Sequence, residues 1–238
     1  AIALELASVG ANLILHYRQN KEEVQEVARQ ARLHEVDVVE YAADLSSLTE
    51  INLFFETVVK NHSRVDVFVA NAAATAFKNL LELKPHHLEK TFNLSVNAFV
   101  LGMNHLRPVL VAGAKVIAVS GIDVDRYCVR HGLLAAAKSA LETLVKYYAI
   151  ELMPAKIFVH GFNPGIVEGD SAKIYLGERY EKVANQLKQL LATEGWMKTE
   201  TVAKIVRFLS HPESNPFTGQ ILKADQGFSF LVPGFSEC

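Results

Sequence analysis

Short apolar runs alternate with longer stretches of helical period along almost the whole chain. The runs at 65–70, 115–120 and 157–162 are rich in valine, isoleucine and phenylalanine and carry few charges. Between such runs, apolar residues recur every three to four positions, as they do on one face of a helix. Strands that alternate with helices in this way are typical of βαβ units, whose parallel strands are buried on both faces. The pattern therefore predicts an α/β protein built around a parallel sheet.

The predicted boundaries indicate one domain covering residues 1–238, with a Rossmann-type, doubly wound parallel sheet. Ser46 or Ser47 is expected to cap one helix, and Pro154 to stop another. Ala1 stands inside a helical pattern without a cap, so we expect a first strand and a glycine-rich turn to precede it in the complete protein. The predicted strands are 12–17, 36–41, 65–70, 115–120, 157–162 and 220–224, and the predicted helices are 1–8, 21–33, about 47–61, 84–111, 132–152, 171–191 and 199–210, the last capped by Thr199.

The composition narrows the function classes. Of the 238 residues, 50% are apolar and 21% are charged, and the net charge is −2. This balance argues against nucleic acid or an anionic membrane as a partner. The two cysteines, Cys128 and Cys238, form no Cys-x-x-Cys pair, which favours a reducing compartment, and we expect a cytoplasmic protein. Neither a membrane-spanning apolar stretch nor a signal peptide is visible.

Residues that follow the strands carry most of the functional information, because sheets of this kind bind ligands at the carboxyl ends of their strands. Asp44 follows the second predicted strand, Asn71 and Ala72 follow the third, and Pro164-Gly165 follows the fifth. Each of these alone is more typical of an ordinary turn than of a binding site. Their order and spacing along one chain are more informative than any one of them.

Together these segments resemble the short-chain dehydrogenase/reductase family. Tyr41-Ala42-Ala43-Asp44-Leu45 is similar to the strand end with the family's adenine-binding aspartate, and Val69-Ala70-Asn71-Ala72-Ala73 to its Asn-Asn-Ala-Gly turn. Residues 162–167 are similar to its Pro-Gly turn, which holds the nicotinamide carboxamide, and 217–227 to its closing strand. The resemblance implies that the cofactor is bound by Asp44, Asn71, Ala72, Pro164, Gly165 and Val167.

Within that family, the closest resemblance is to the NADPH-dependent enoyl-acyl-carrier-protein reductases. It is carried by Arg126-Tyr127 ahead of the active-site helix and by residues 171–196, which are similar to the helical flap that covers acyl substrates. The strand end at 16–21 has no acidic residue to bind an adenosine ribose. Arg18 and Lys21 are instead available for a 2′-phosphate, which favours NADPH. The alternative is that they are solvated surface residues.

Lys138 retains the position of the family's active-site lysine, which holds the nicotinamide ribose and lowers the pKa of a tyrosine. That tyrosine is absent, since Leu134 and His131 stand four and seven residues before Lys138, where family members carry it. Gly121 replaces the active-site serine, and Ser120 is expected to point to the other face of its strand. The alternative for Lys138 is an ordinary lysine on a helix surface.

His131 is the candidate for proton delivery. In enoyl reduction a hydride reaches the β-carbon and negative charge develops on the thioester oxygen. A positioned acid at that oxygen contributes about 10²- to 10⁴-fold. A histidinium can donate at near-neutral pH, although the charge of Lys138 opposes its formation. The alternative is that His131 merely caps or precedes the helix that begins near Gly132.

Two functions fit these residues. The first is an NADPH-dependent enoyl-thioester reductase of fatty-acid or polyketide synthesis, with an acyl thioester, free or on acyl carrier protein, as substrate. The second is a catalytically degenerate relative that serves as a structural subunit or binding module, because Ser95, Gly121 and Leu134 stand at the positions of the family's asparagine, serine and tyrosine. The resemblance also predicts a homodimer or homotetramer formed through helices 84–111 and 132–152. The nine scattered histidines suggest no metal site.

Overall fold

The computed structural model describes residues 1–191 and 195–230. Its centre is six parallel strands, in the predicted order and close to the predicted ends. The exception is the fourth strand, which starts at Leu110 rather than near Lys115. The strands are β1 (Leu13–Tyr17), β2 (Val38–Ala42), β3 (Val65–Ala70), β4 (Leu110–Val119), β5 (Phe158–Asn163) and β6 (Ile221–Lys223).

These strands form two hydrogen-bonded groups. β1 pairs with β2, while β3, β4, β5 and β6 pair in that order. Among the described residues β1 and β3 do not pair with each other, and the interruption between the two groups is a cleft of about 1740 Å³, which is also lined by side chains of the neighbouring helices.

Nine α-helices flank the strands in the described residues. Ser47, rather than Ser46, caps the third helix by accepting a hydrogen bond from the Glu50 amide. None of the nine combines the length and the apolar character needed to cross a bilayer. The helices are α1 (Ile2–Ala7), α2 (Lys21–Arg32), α3 (Leu48–Asn61), α4 (Pro85–Phe92), α5 (Ala98–Leu106), α6 (Gly132–Glu151), α7 (Asp170–Leu176), α8 (Tyr180–Leu191) and α9 (Thr199–Ser210).

The long helix predicted within 84–111 is present but is divided by a π turn and ends before Pro108. α4 ends at Phe92, a π-helical turn covers Asn93–Asn97, and α5 ends at Leu106. Pro108 has no amide hydrogen with which to continue the helix, and β4 begins two residues later, at Leu110. π turns inside helices are frequent at functional sites, and this one contains the buried Ser95.

Two further predictions need correction. The helical segment predicted at 171–191 is divided into α7 and α8 by a 3₁₀ turn that begins at Gly177. At α9 the N-cap is Lys198 rather than Thr199. The Thr199 hydroxyl donates to Glu200 at 3.2 Å and so makes no capping bond. The segment 192–194 of the predicted flap lies outside the described residues.

Alternate residues of β4 face different helices. Val116 and Ala118 pack with side chains of α3, α5 and α6, whereas Ile117 and Val119 pack with α9. Helices therefore cover both faces of the central strands, which confirms the doubly wound α/β fold. A separate apolar cluster joins β1 and β2 to α1 and α2.

The strand register determines where the functional segments lie. Tyr17 pairs with Ala42, Ala70 with Ala118, and Val119 with Phe162. Strands that run parallel and end level with one another deliver the residues that follow them to the same edge. The segments that follow β3, β4 and β5 are thereby brought to one place, where a ligand of this fold class is expected.

Candidate active site

Helix α6 carries Lys138 to the carboxyl end of β4. Only 4% of Lys138 is exposed, and its Nζ donates to the main-chain carbonyl of Val119, the last residue of β4, at 2.5 Å. Burial lowers the pKa of Lys138 to about 8, while the charges of Asp123 and Glu142 act in the opposite direction. Lys138 is therefore not a surface lysine, and with this pKa it is mostly protonated at pH 7.

His131 precedes α6 and occupies its N-cap position, but its side chain makes no capping hydrogen bond. The imidazole instead packs against two aromatic rings, with centroid distances of 5.1 Å to Phe77 and 4.2 Å to Tyr175. Its Nδ1 is 3.5 Å from Oδ2 of Asp123, and the side chains of this pair are 17% and 5% exposed, respectively. His131 therefore occupies the cap position without capping the helix, because its imidazole contacts groups outside α6.

Two atoms of this pair are buried without a hydrogen-bond partner among the described residues, Nε2 of His131 and Oδ2 of Asp123. A buried polar atom without a partner costs about 1–3 kcal/mol. Such atoms are uncommon in folded proteins and call for an explanation, such as a catalytic role or a bound group. Nε2 is thus a candidate position for contact with a bound polar group.

Asp123 was missed by the sequence analysis. It lies in a 3₁₀ turn, Ile122–Val124, directly after Gly121. A Cβ atom on Gly121 would come within 2.6 Å of Oδ1 of Asp123. Glycine at the position of the family's serine therefore leaves room for an aspartate carboxylate. An acidic residue two positions after an unexpected glycine was the available signal.

Neither Tyr127 nor Ser120 supplies the missing hydroxyl. Tyr127 is 89% exposed. Ser120 donates to Oε1 of Glu142 at 2.6 Å, so its hydroxyl is already engaged, as the one-residue shift along the strand led us to expect. A phenol that the sequence analysis did not consider, Tyr175, does reach the site, but its hydroxyl donates to the Val129 carbonyl at 2.9 Å.

Ser95 stands at the position of the family's helix asparagine and lies in the π turn. It is 4% exposed, and its Oγ has no hydrogen-bond partner among the described residues. The neighbouring asparagines do not replace it, because Asn93 donates to the Ser46 carbonyl and Asn97 donates to Asn93, each at 2.7 Å. The π turn therefore presents a small, unpaired hydroxyl at this position.

Four of the residues predicted to bind the cofactor line one cleft. Asn71, Ala72, Pro164 and Val167 border the cleft between β1 and β3, as does Ser95. Their side chains come from the segments after β3 and β5 and from the π turn. Val119, whose carbonyl Lys138 contacts, also lines the cleft. The structure thus brings these separate segments to one site.

The other predicted cofactor residues are placed differently. Oδ1 of Asp44 accepts a hydrogen bond from the Ser46 amide at 2.9 Å, and this bond lowers the pKa of Asp44. One oxygen of the carboxylate therefore already stabilises the turn after β2. Gly165 has φ +69°, and a Cβ there would come within 2.6 Å of the Asp225 Cβ, so packing alone requires glycine. Arg18 is exposed just beyond β1, and its charge also contributes to lowering the pKa of Asp44.

The predicted flap contacts the site through α7. Tyr175 of α7 packs on Phe77 as well as on His131, with a centroid distance of 5.4 Å to Phe77. At the far end of the flap, Trp196 stacks on Tyr180 at 4.8 Å. The chain then returns to the Pro-Gly turn through a bridge between Val167 and Met197. The flap is therefore attached both to the loop before α6 and to the cleft wall.

Comparison with known families is consistent with this geometry. The family model described as Enoyl-(Acyl carrier protein) reductase matches residues 1–229. The chain belongs to this family of short-chain dehydrogenases/reductases. Among the curated relatives of this short-chain reductase is the 1-cyclohexenylcarbonyl-CoA reductase of Streptomyces collinus, 30% identical over 237 residues, which cover 98% of this chain and 84% of the relative. A hydroxynaphthalene reductase-like protein, Arp2 of Metarhizium acridum, is 26% identical over 93% of this chain and 86% of its own length.

Solved structures of other short-chain reductases have the same fold. A short-chain dehydrogenase/reductase from Serratia marcescens is 26% identical, with a TM-score of 0.85 over 96% of this chain and 91% of its own. A short-chain dehydrogenase from Burkholderia cenocepacia, solved in complex with NADP, is 23% identical, with a TM-score of 0.84 over 97% and 92% of the two chains. The resemblance inferred from the sequence is thereby confirmed at the level of family and fold.

Several polar groups beside the strand ends are candidates to bind a dinucleotide. Ala72, Ser95 and Val167 line the cleft between β1 and β3, whereas Lys138, His131 and Asp123 are not among its lining residues. The unpaired Oγ of Ser95 is free to bind a polar group. Lys138 lies beside the same cleft with a protonated Nζ that holds only one hydrogen-bond acceptor, the Val119 carbonyl, so two of its three donor hydrogens are available to ribose hydroxyls. No group of three or more potential metal ligands occurs in the described ranges.

Proposed function

We propose that this chain is an NADPH-dependent reductase of α,β-unsaturated acyl thioesters. The observation that carries the proposal is the buried Nε2 of His131, which has no hydrogen-bond partner among the described residues. His131 stands at the N-cap of the helix that carries Lys138, in a site that lacks the family's tyrosine. Reduction adds one hydride to the β-carbon and one proton to the α-carbon, and the π bond between them breaks. When bound, the cofactor supplies the hydride.

The chain's own residues would then orient both reactants and move the proton. Lys138 would hold the ribose next to the nicotinamide, while Asn71, Ala72, Pro164, Gly165 and Val167 would form the walls around the dinucleotide. His131 would donate from Nε2 to the thioester oxygen as negative charge develops there, which is where an acid lowers the barrier most. The enol formed in this way would then gain a proton from solvent at the α-carbon and release the proton on its oxygen, which restores the thioester carbonyl. Phe77 and Tyr175 would exclude water from the imidazole, which strengthens its interaction with that charge.

Two features support the choice of substrate and cofactor. The relative from Streptomyces collinus reduces, by its name, an unsaturated acyl group on coenzyme A, and the matching family model is named for enoyl groups on acyl carrier protein. A thioester of either carrier is therefore the substrate class to test. Arg18 and Lys21 are exposed at the end of β1 with no acidic residue in the segment 16–21, an arrangement that suits the 2′-phosphate of NADPH.

The proposal is tested by following the oxidation of NADPH with crotonyl-CoA, 1-cyclohexenylcarbonyl-CoA and crotonyl-acyl carrier protein. We expect turnover with at least one of them and a loss of about 10²- to 10⁴-fold in kcat for His131→Gln. Tyr127→Phe is the matched control, because this exposed tyrosine precedes the same helix and should leave kcat unchanged. An unchanged rate in His131→Gln would remove the imidazole from the mechanism.

A second function is favoured by the replacements at Ser95, Gly121 and Leu134, which motivate a non-catalytic subunit or binding module. In that case the chain would bind NADPH or an acyl thioester without turnover and would co-purify with an intact relative. Titration of the isolated protein with NADPH and NADH, followed by fluorescence, separates binding from chemistry. Steady turnover by the isolated chain would exclude this second function.

A further inference from the structure

The carboxylate of Asp123 lies where it can act on both ionisable side chains of the proposed site. Its Oδ2 is 3.5 Å from Nδ1 of His131, and its charge raises the pKa of Lys138 against the effect of burial. Only 8% of Asp123 is exposed. Its Oδ2 makes no hydrogen bond among the described residues, so its buried negative charge is compensated by the charge of Lys138 and by pairing with the imidazole.

The local backbone is arranged around this carboxylate. A Cβ on residue 121 would come within 2.6 Å of Oδ1 of Asp123, closer than side-chain atoms approach. Gly121 has φ −158°, an extended conformation that any residue adopts, so the backbone conformation does not require glycine there. A serine at 121 would instead compete with the Asp123 carboxylate for space, so that one of the two side chains would have to shift.

We infer that Asp123 is the positioning residue for proton delivery by His131, an inference that rests on the proposed function. A carboxylate at Nδ1 fixes the orientation of an imidazole and stabilises its charged form, in which Nε2 carries the proton to be donated. The proton moves from Nε2 to the enolate formed on the substrate, and the neutral imidazole keeps its Nδ1 hydrogen facing Asp123. Solvent then returns the proton to Nε2 before the next turnover.

The other groups around His131 do not replace this carboxylate. Lys138 of α6 opposes a positive charge on the imidazole, and Cys128 has its pKa raised by burial and by Asp123, so its thiol is neutral. Tyr175 of α7 has its pKa raised, chiefly by burial, and also stays neutral. The loop after β3 contributes the ring of Phe77, and Arg130, next in the chain, is exposed. Among the described residues, Asp123 is the one carboxylate paired with His131.

The test compares Asp123→Asn with wild type, and Asp125→Asn is the matched control. Asp125 is a carboxylate two residues away that pairs with Lys223 at 2.7 Å instead of with His131. NMR of the ring nitrogens measures which nitrogen of the neutral His131 imidazole carries the hydrogen, with His131→Gln to assign the signal. We expect Asp123→Asn to lower the ratio of the form with hydrogen on Nδ1 to the form with hydrogen on Nε2 by about threefold or more, and Asp125→Asn to leave it unchanged.

Kinetics give the second measurement. Asp123→Asn should lower kcat by about tenfold or more and change KM by less than about twofold, because substrate binding does not need the carboxylate. The losses in Asp123→Asn and His131→Gln should not add in the double variant. If Asp123→Asn does not fold, Asp123→Ser removes the same charge.

The inference and the proposed function can fail separately. A chain without turnover whose His131 signal still responds to Asp123→Asn would overturn the function and retain the pair. An active chain in which Asp123→Asn changes neither the His131 signal nor kcat would overturn the positioning role and retain the reductase.

Discussion

A side chain at position 121 would meet the carboxylate of Asp123. The loss of the family's serine at 121 and the presence of Asp123 are therefore connected. We expect Gly121→Ser, which restores the usual serine, to lower kcat/KM rather than to raise it, because the new Cβ would meet Oδ1 of Asp123 at 2.6 Å. Steady-state kinetics of the variant test this. In an Asp123→Ala background the same substitution should be tolerated without a further loss of thermal stability, since the conflicting carboxylate is gone. Additive losses in the two backgrounds would contradict the steric explanation.

The buried Lys138 makes the free energy of unfolding change with pH in the alkaline range. Its pKa is lowered from the ordinary value of 10.5 to about 8 by burial, so between these values the unfolded chain binds more protons than the folded one. Stability contributed by this group therefore rises from pH 8 to pH 10.5 and is lost as the pH falls through 8. The full effect is about 3 kcal/mol.

Urea unfolding of wild type and Lys138→Met at pH 7.5, 9 and 10 measures this contribution, with all pH values chosen within or just below the expected window. The free energy of unfolding of wild type should rise relative to that of Lys138→Met across the series. Methionine has a similar length but no titrating group, so parallel profiles would show that the lysine is not desolvated. Any constant offset between the proteins reflects packing and the unpaired Val119 carbonyl.

At the scale of elements, α5 packs on α3 through a glycine. A Cβ on Gly102 would come within 2.5 Å of Cζ of Phe55, and Phe55 is itself 4% exposed and surrounded by other rings. Gly102→Ala should therefore destabilise the protein, because overpacking a core costs about 1–3 kcal/mol and outweighs the gain of up to about 1 kcal/mol in helix propensity.

Thermal unfolding measures this prediction, and Asn104→Ala, an exposed position on the same helix, controls for helix propensity. The control should keep or slightly raise the melting temperature. The double variant Phe55→Leu/Gly102→Ala should lose less stability than the sum of the losses in the two single variants. A more stable Gly102→Ala would mean that Phe55 moves aside without cost.

The division of the 84–111 segment is also decided at this scale. Continuous helical periodicity predicts one helix, and it gives no sign of the π turn at Asn93–Asn97. Asn93 bonds to the Ser46 carbonyl after β2, a contact between residues far apart in sequence. The local sequence pattern shows only that the segment favours a helix. The hydrogen bond from Asn93 to Ser46 forms only in the folded chain, so the pattern could not predict the π turn that contains Asn93.

For the whole molecule, the exposed apolar surface of α6 supports the predicted association. Leu141 and Val145 are core residues, with 1% and 0% exposed, whereas Tyr147 and Ile150 on the same helix are 65% and 67% exposed. Large apolar side chains exposed together mark interaction surfaces. We therefore expect a homodimer or homotetramer in which this part of α6 is buried.

Sedimentation of wild type and of Tyr147→Lys/Ile150→Lys measures the oligomeric state. The double variant should dissociate at concentrations where wild type is associated, because burying two lysines without partners is unfavourable. Leu53→Lys, another exposed apolar position on a different helix, α3, is the control and should leave the assembly unchanged. A monomeric wild type, or an associated double variant, would contradict the use of this face.

The sequence by itself determined the fold class, most strand positions, the family, and Lys138 as the lysine at the sheet's carboxyl edge. These follow from periodicity and from spacing along the chain, which local physics preserves. Only the tertiary structure decided how that edge is completed. Phe77, Asp123, His131 and Tyr175 lie on four different segments, and their distances and burial arise from packing. The charge of His131 and the burial of Lys138 depend on those neighbours, so the chemistry of the site could be read only from the folded chain.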